Sequence, residues 1–227
     1  MFWFVVALFA VRLQAVIIPG PPGPYPVSYE VLDLTDESRW DIYAPANNTH
    51  KRRIIVSSYT PIGKEECVPT ELAYMPPQTT IEYGKYAADN GLPNDIFEDI
   101  QLEFCQLSKC KQNDKPTFPL VLFSPGLSAS RLLYSNQARA LASYGFVVVT
   151  VDHPYDATFV EFPDGTYVYG TVGYSDGESD IAAEVCSHHG WLKLSQALAD
   201  STISGPSSRS VFRHRPFPSA RSGCLTP

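Results

Sequence analysis

Phe118 to Asp156 reads FPLVLFSPGLSASRLLYSNQARALASYGFVVVTVDHPYD, and this stretch decides the fold. Leu120-Val121-Leu122-Phe123 is a short apolar run stopped by Ser124-Pro125-Gly126. Tyr134, Ala138, Leu141 and Ala142 then recur at i, i+4, i+7 and i+8, one stripe of a helix over about 130–144, with Gly145 at its closing position. Phe146 to Val151 is a second strand-forming run, polar only at Thr150. Continuous apolar strands flanking a helix belong to a parallel sheet buried on both faces. The crossover is expected to be right-handed. Asp152-His153-Pro154-Tyr155-Asp156 leaves the carboxyl end of the second strand, where open α/β sheets keep their sites.

Working outward, Thr158–Phe162 and Thr166–Tyr169 flank Pro163-Asp164-Gly165 as a hairpin. Upstream, Pro19–Pro26 is a proline-rich extended entry, and Val27–Leu34 with Arg53–Ser57 predicts an antiparallel pair opening the sheet. Asp36–His50 between them is polar and turn-like. Residues 64–115 read as a cap or insertion without sheet strands. Ile81–Asn90 is expected to be a short helix closed by Gly91, and Phe97–Leu107 a second one, from apolar residues at 97, 100, 104 and 107. Ser179–Leu198 has a weaker helical pattern.

The chain of 227 residues carries 17 Lys+Arg against 24 Asp+Glu, net −7, which argues against a duplex nucleic-acid or polyphosphate binder. Charge is uneven: from Ile203 onward there are four arginines and no acid, so the first 202 residues hold 13 basic against 24 acidic groups, or −11. Phe2–Val11 is an unbroken apolar run of 10 residues, too short to span a bilayer but suited to a signal peptide ending near Ala15. The expected organisation is a signal peptide at 1–15, a folded domain at 16–200 and a basic, Ser/Arg/Pro-rich, disordered tail at 201–227. In the secreted compartment this implies, Cys67, Cys105 and Cys110 supply one disulfide. Cys67–Cys105 is favoured over Cys105–Cys110, but sequence does not choose. Asn47 heads a glycosylation sequon. No cysteine or histidine spacing suits a metal, and no cofactor motif is present.

One literal Gly-x-Ser-x-Gly occurs, Gly173-Tyr174-Ser175-Asp176-Gly177, making Ser175 a candidate nucleophile. Asp176 opposes it by placing a carboxylate where an N–H must hold an oxyanion, and Glu178 replaces a small turn residue. A polar, glycine-rich loop explains the same residues. His188 and His189 read as a solvated pair, and His214 lies in the basic tail. His153, with Asp152 or Asp156 to orient it, is a candidate lining residue; a structural hydrogen-bonding role is the plainer reading.

The run Phe118–Leu127, the helix with Leu133-Tyr134-Ser135 and Leu141-Ala142-Ser143-Tyr144-Gly145, and Phe146–His153 together resemble the secreted platelet-activating-factor acetylhydrolases. Tyr74–Pro77 and Phe162–Gly165 are similar to their fungal branch. The resemblance covers about Gly20 to Ile181. It implies an α/β-hydrolase-like fold, with a mostly parallel sheet and antiparallel N-terminal strands, and a serine esterase acting on phospholipid or short-chain esters without a cofactor. It also implies peripheral lipid-surface contact without a transmembrane span. It assigns the backbone N–H of Leu127 as an oxyanion donor, with Gly126 allowing close approach. The family's nucleophile elbow is expected near residues 180–200, and no such motif stands there. The C-terminal part of the fold is therefore expected to be missing, with the tail read as sequence from a shifted reading frame or a retained intron and the chain as catalytically incomplete. The alternative is a non-catalytic, lipid-binding relative lacking the triad.

Overall fold

The computed structural model describes residues 15–107 and 118–171, together with the backbone of 212–214. The apolar run at 2–11, the pattern at 179–198 and nearly all of the tail lie outside the described residues.

After a short first strand, β1 (Val16–Ile18), come two long ones, β2 (Val27–Trp40) and β3 (Lys51–Pro61). They pair antiparallel from Val27↔Pro61 to Trp40↔Lys51, so the sequence expectation was right in type and short in length. The register is irregular between Asp36 and Trp40. There the Asp36 carboxylate accepts from the Ser38 N–H and hydroxyl and from Arg39 Nε, a local arrangement that competes with the ladder.

Residues 64–115 depart from expectation. They contribute two strands, β4 (Cys67–Ala73) and β5 (Ile100–Leu107), with α1 (Pro77–Asp89) between them. A second sheet of order β1-β5-β4 results. Helix α1 begins four residues before the expected start because Pro77, at its first position, needs no N–H partner there. Gly91, at φ 80°, follows its end. The helix expected over 97–107 is β5 instead. Leu102 and Phe104 are buried while Gln101, Glu103 and Cys105 are partly exposed, a period of two. The spacing at 97, 100, 104 and 107 had imitated a helical stripe. A disulfide joins Cys67 to Cys105 across β4 and β5, the favoured pairing of the two.

Downstream, β6 (Leu120–Phe123) and β7 (Val147–Asp152) pair parallel in the register Leu120↔Val147 to Phe123↔Thr150. A 3₁₀ turn at Arg131–Tyr134 and the helix α2 (Ser135–Ala142) connect them. Ser130 starts this segment, its Oγ accepting from Leu132 N–H at 3.1 Å. Gly145, at φ 96°, ends it, donating to Ala142 O. The stripe is right at Ala138 and Ala142, which are buried, and wrong at Leu141, which is 39% exposed. Arg139 takes the buried place, its guanidinium capping the carbonyls of Pro19 and Glu103.

The hairpin β8 (Phe159–Glu161) and β9 (Tyr167–Tyr169) follows, turning at Gly165 with φ 83°. A strand β10 (Phe212–His214), inside the tail expected to be disordered, pairs antiparallel with β2 at Leu34–Asp36. The main sheet is β10-β2-β3-β7-β6. Among the described residues it is mixed: β6 and β7 are its parallel pair, and its other pairings are antiparallel.

Both faces of β3 and β7 are buried. Tyr59 and Val148 pack with Ala138, Ala142, Leu102 and Phe104 on one side; Val56, Val149 and Val151 pack with Leu34 on the other. Full burial of each such side chain contributes about 1.5–3 kcal/mol. The core thereby fixes the carboxyl ends of β6 and β7 at one edge.

Candidate active site

Parallel pairing delivers two segments side by side at that edge: the loop 124–130 after β6 and the segment 152–158 at the end of β7. Asp152 is turned to Arg131. It is 1% exposed, and its carboxylate accepts the Arg131 N–H at 2.6 Å and pairs with the Arg131 guanidinium. Arg131 Nε donates to Ser57 Oγ at 2.9 Å, completing a buried network. Burial alone would lower the pKa of the Arg131 guanidinium; the charge of Asp152, joined by Tyr29, Tyr59 and the hydrogen bond to Asp152, outweighs that and holds it raised. The pair ties the end of β7 to the start of the helical segment, closing the loop at its base.

His153 is partly exposed, and its Nε2 lies 2.8 Å from Ser124 Oγ at the loop's beginning. At the loop's far side Ser128 takes φ 66° and forms a parallel bridge with Ala157. Its carbonyl accepts from Thr158 N–H at 3.1 Å, Thr158 Oγ1 at 2.9 Å and Tyr83 Oη at 3.4 Å. Its N–H reaches Asp156 Oδ1 at 3.4 Å. The Tyr83 hydroxyl is kept protonated, first by burial and then by the charge of Asp152.

Leu127 stands between these anchors, half-buried in a turn closed by Ala129 N–H donating to Gly126 O. Among the described residues the Leu127 N–H has no hydrogen-bond acceptor. Gly126 is not forced by crowding: a Cβ built there meets nothing within 4 Å. Among the described residues the loop is thus open at the Gly126 Cβ position. A backbone donor left unpaired beside open space can hold a developing negative charge.

Ser175, His188, His189 and the side chain of His214 lie outside the described residues. Sequence reasoning brought Leu127, His153 and Asp156 to one place but missed Arg131, Ser128, Thr158 and Tyr83. The continuous apolar strands signalled the loop's position. Nothing marked Ser128, a residue with no usual taste for positive φ, as its turning point.

A separate cleft of about 720 Å³ opens between β2, β3 and the β8–β9 hairpin. It is lined by His50, Arg53, Tyr155 and Tyr169 among others and contains none of residues 124–128. Arg53 there is already committed, paired with Asp33 and Asp164. Among the described residues, no group of three or more His, Cys, Asp or Glu is placed to hold a metal ion. No helix among them is long and apolar enough to cross a membrane.

Comparison with known proteins meets the same region. Residues 81–169 match the family "Platelet-activating factor acetylhydrolase, isoform II". A protein of Arthroderma benhamiae, named as a probable 1-alkyl-2-acetylglycerophosphocholine esterase, is 35% identical over 163 residues, covering 68% of this chain and 41% of that protein. A ferulic acid esterase from Streptomyces cinnamoneus superposes with a TM-score of 0.62 at 26% identity, covering 86% of this chain and 51% of that one. The chain spans about half the length of these relatives or less.

Proposed function

Because the chain belongs to the platelet-activating-factor acetylhydrolase-like family and has a partial α/β-hydrolase fold, we propose that it serves the hydrolysis of carboxylic esters, phospholipid or short-chain acyl esters, with the Leu127 N–H as one oxyanion donor. The observation that carries this reading is the Leu127 N–H, which has no acceptor among the described residues and stands in the loop at the carboxyl end of β6, beside β7. In ester hydrolysis the carbonyl oxygen gains charge as the nucleophile adds, so a fixed N–H aimed at it lowers the barrier more than it stabilises bound substrate. Ser175, in Gly173-Tyr174-Ser175-Asp176-Gly177, is the candidate nucleophile. The Cys67–Cys105 disulfide and the exposed sequon residue Asn47 favour a secreted protein, which is also where a lipid-surface substrate would be met.

The sequence carries no nucleophile elbow of the family's kind near residues 180–200, so the expected rate on p-nitrophenyl acetate is that of an oxyanion site without a triad, about 10³–10⁴-fold over water. The test compares the full chain with and without a serine-directed phosphonate, alongside Ser175→Ala, on this ester and on a 1-alkyl-2-acetylglycerophosphocholine. Phosphonate-sensitive turnover that Ser175→Ala abolishes makes Ser175 the nucleophile. Binding of the phospholipid without any turnover above the water rate would favour the non-catalytic, lipid-binding alternative.

A further inference from the structure

We propose that His153 and Thr158 are positioning residues for the oxyanion loop, a clamp in which the segment after β7 sets the direction of the Leu127 N–H. This inference rests on the esterase reading for its purpose, though not for its geometry.

The donor's direction depends on the backbone dihedrals between its two nearest anchors. One anchor is Ser124, tied through Oγ to His153 Nε2 at 2.8 Å. The other is Ser128, whose carbonyl receives both the N–H and the hydroxyl of Thr158, at 3.1 and 2.9 Å. Between them stand only Pro125, Gly126 and Leu127. The proline ring fixes one more dihedral. Ser128 is held at φ 66°, so the chain reverses just after Leu127 and cannot relax to the common regions without breaking the Thr158 contacts. The segment that supplies both anchors is itself pinned by the buried Asp152–Arg131 pair at its start and by the Ala157–Ser128 bridge near its end. Asp156 and Tyr83 add longer contacts to the same residue.

The consequence is preorganisation. Without the clamp, Gly126 gives the Leu127 peptide wide conformational freedom, and the N–H would have to be ordered each time a charge develops. With it, ordering is complete in the folded protein. Neither His153 nor Thr158 needs to touch substrate; both act through the serine each one holds.

The experiment uses the full chain with ¹⁵N-labelled leucine and reads two signals, the Leu127 amide resonance and p-nitrophenyl acetate hydrolysis. Wild type is expected to give one sharp Leu127 resonance. His153→Ala and Thr158→Val should each broaden or double it, while Thr158→Ser, which keeps the hydroxyl, should restore it. Hydrolysis should fall about 10-fold in kcat with KM held within about twofold, less than the 10²–10³ lost on removing an oxyanion donor outright. A single, unshifted resonance in both His153→Ala and Thr158→Val overturns the clamp whether or not the chain hydrolyses the ester. Loss of the resonance with equal loss of the other leucine signals, repeated in His153→Gln and Thr158→Ser, also overturns it, because the residues would then be needed for folding at large. The esterase reading fails differently: wild type neither hydrolyses the ester nor shifts its Leu127 resonance on addition of methylphosphonate.

Discussion

Ser128 adopts a backbone region that crowds its Cβ, costing about 1–2 kcal/mol, and the loop keeps it there. Two good hydrogen bonds from Thr158 to its carbonyl, each contributing about 0.5–1.5 kcal/mol, are enough to offset that cost. The balance predicts how substitutions at this position behave. Ser128→Gly relieves the crowding but adds about 0.5–1 kcal/mol of unfolded-chain entropy, so its stability should stay close to wild type. Ser128→Val cannot enter the left-handed region without a clash at both methyls and should lose roughly 1–3 kcal/mol. Urea unfolding of the three proteins checks the order; Ser128→Val as stable as Ser128→Gly would mean that the loop does not hold this conformation in solution. At this scale little was legible beforehand. Leu127 was marked by the residues around it, whereas the side chains that hold its neighbours come from 152–158, and their contacts depend on a strand register that spacing alone does not fix.

Between elements, the joint that matters most is Asp152 on Arg131, where β7 meets the helical segment. Both groups are almost fully buried, at 1% and 2% exposure of their side chains, and each is also bonded elsewhere: Asp152 to a backbone N–H, Arg131 to Ser57. Burying two charges costs more than most pairs return, so this joint gives no large net stability over an apolar one. Removing one partner is another matter. Asp152→Asn strands a buried guanidinium and should cost about 3–5 kcal/mol, read as a lower urea midpoint. A loss under 1 kcal/mol would show that water reaches Arg131 and that the loop's base is loose. The strand–helix–strand unit around this joint was readable because each run had the right length and an unambiguous period. β5 was not: Phe97, Ile100 and Phe104 match a helical stripe as well as Ile100, Leu102 and Phe104 match a strand. What decides is the partner β4, whose pairing with β5 runs from Cys67↔Leu107 to Ala73↔Gln101 and joins residues far apart in sequence.

Across the molecule, the β1-β5-β4 sheet packs its buried Leu102 and Phe104 against Val27, Tyr59 and Val148 of the main sheet. Its strands β4 and β5 are joined by a connection that includes α1, whose Tyr83 reaches the carbonyl of Ser128. Tyr83 thus gives the small sheet a contact route through α1 to the loop 124–130. The disulfide Cys67–Cys105 spans this connection, 38 residues apart, and acts on the whole by restricting the unfolded chain. A loop of that length corresponds to about 4 kcal/mol of loop-closure entropy at 25 °C. The double substitution Cys67→Ala/Cys105→Ala should accordingly lower stability by roughly 2–4 kcal/mol, the lower figure applying if the unfolded chain keeps structure of its own. Unfolding by urea, followed by far-ultraviolet circular dichroism, gives the number. Tyr83 provides a second reading of the same event. If the sheets are coupled through α1, the Leu127 amide should broaden in the double variant at urea concentrations well below the midpoint, because the small sheet frays first. Simultaneous loss of every signal at one midpoint would instead make the two sheets a single cooperative unit, with the disulfide stabilising both alike.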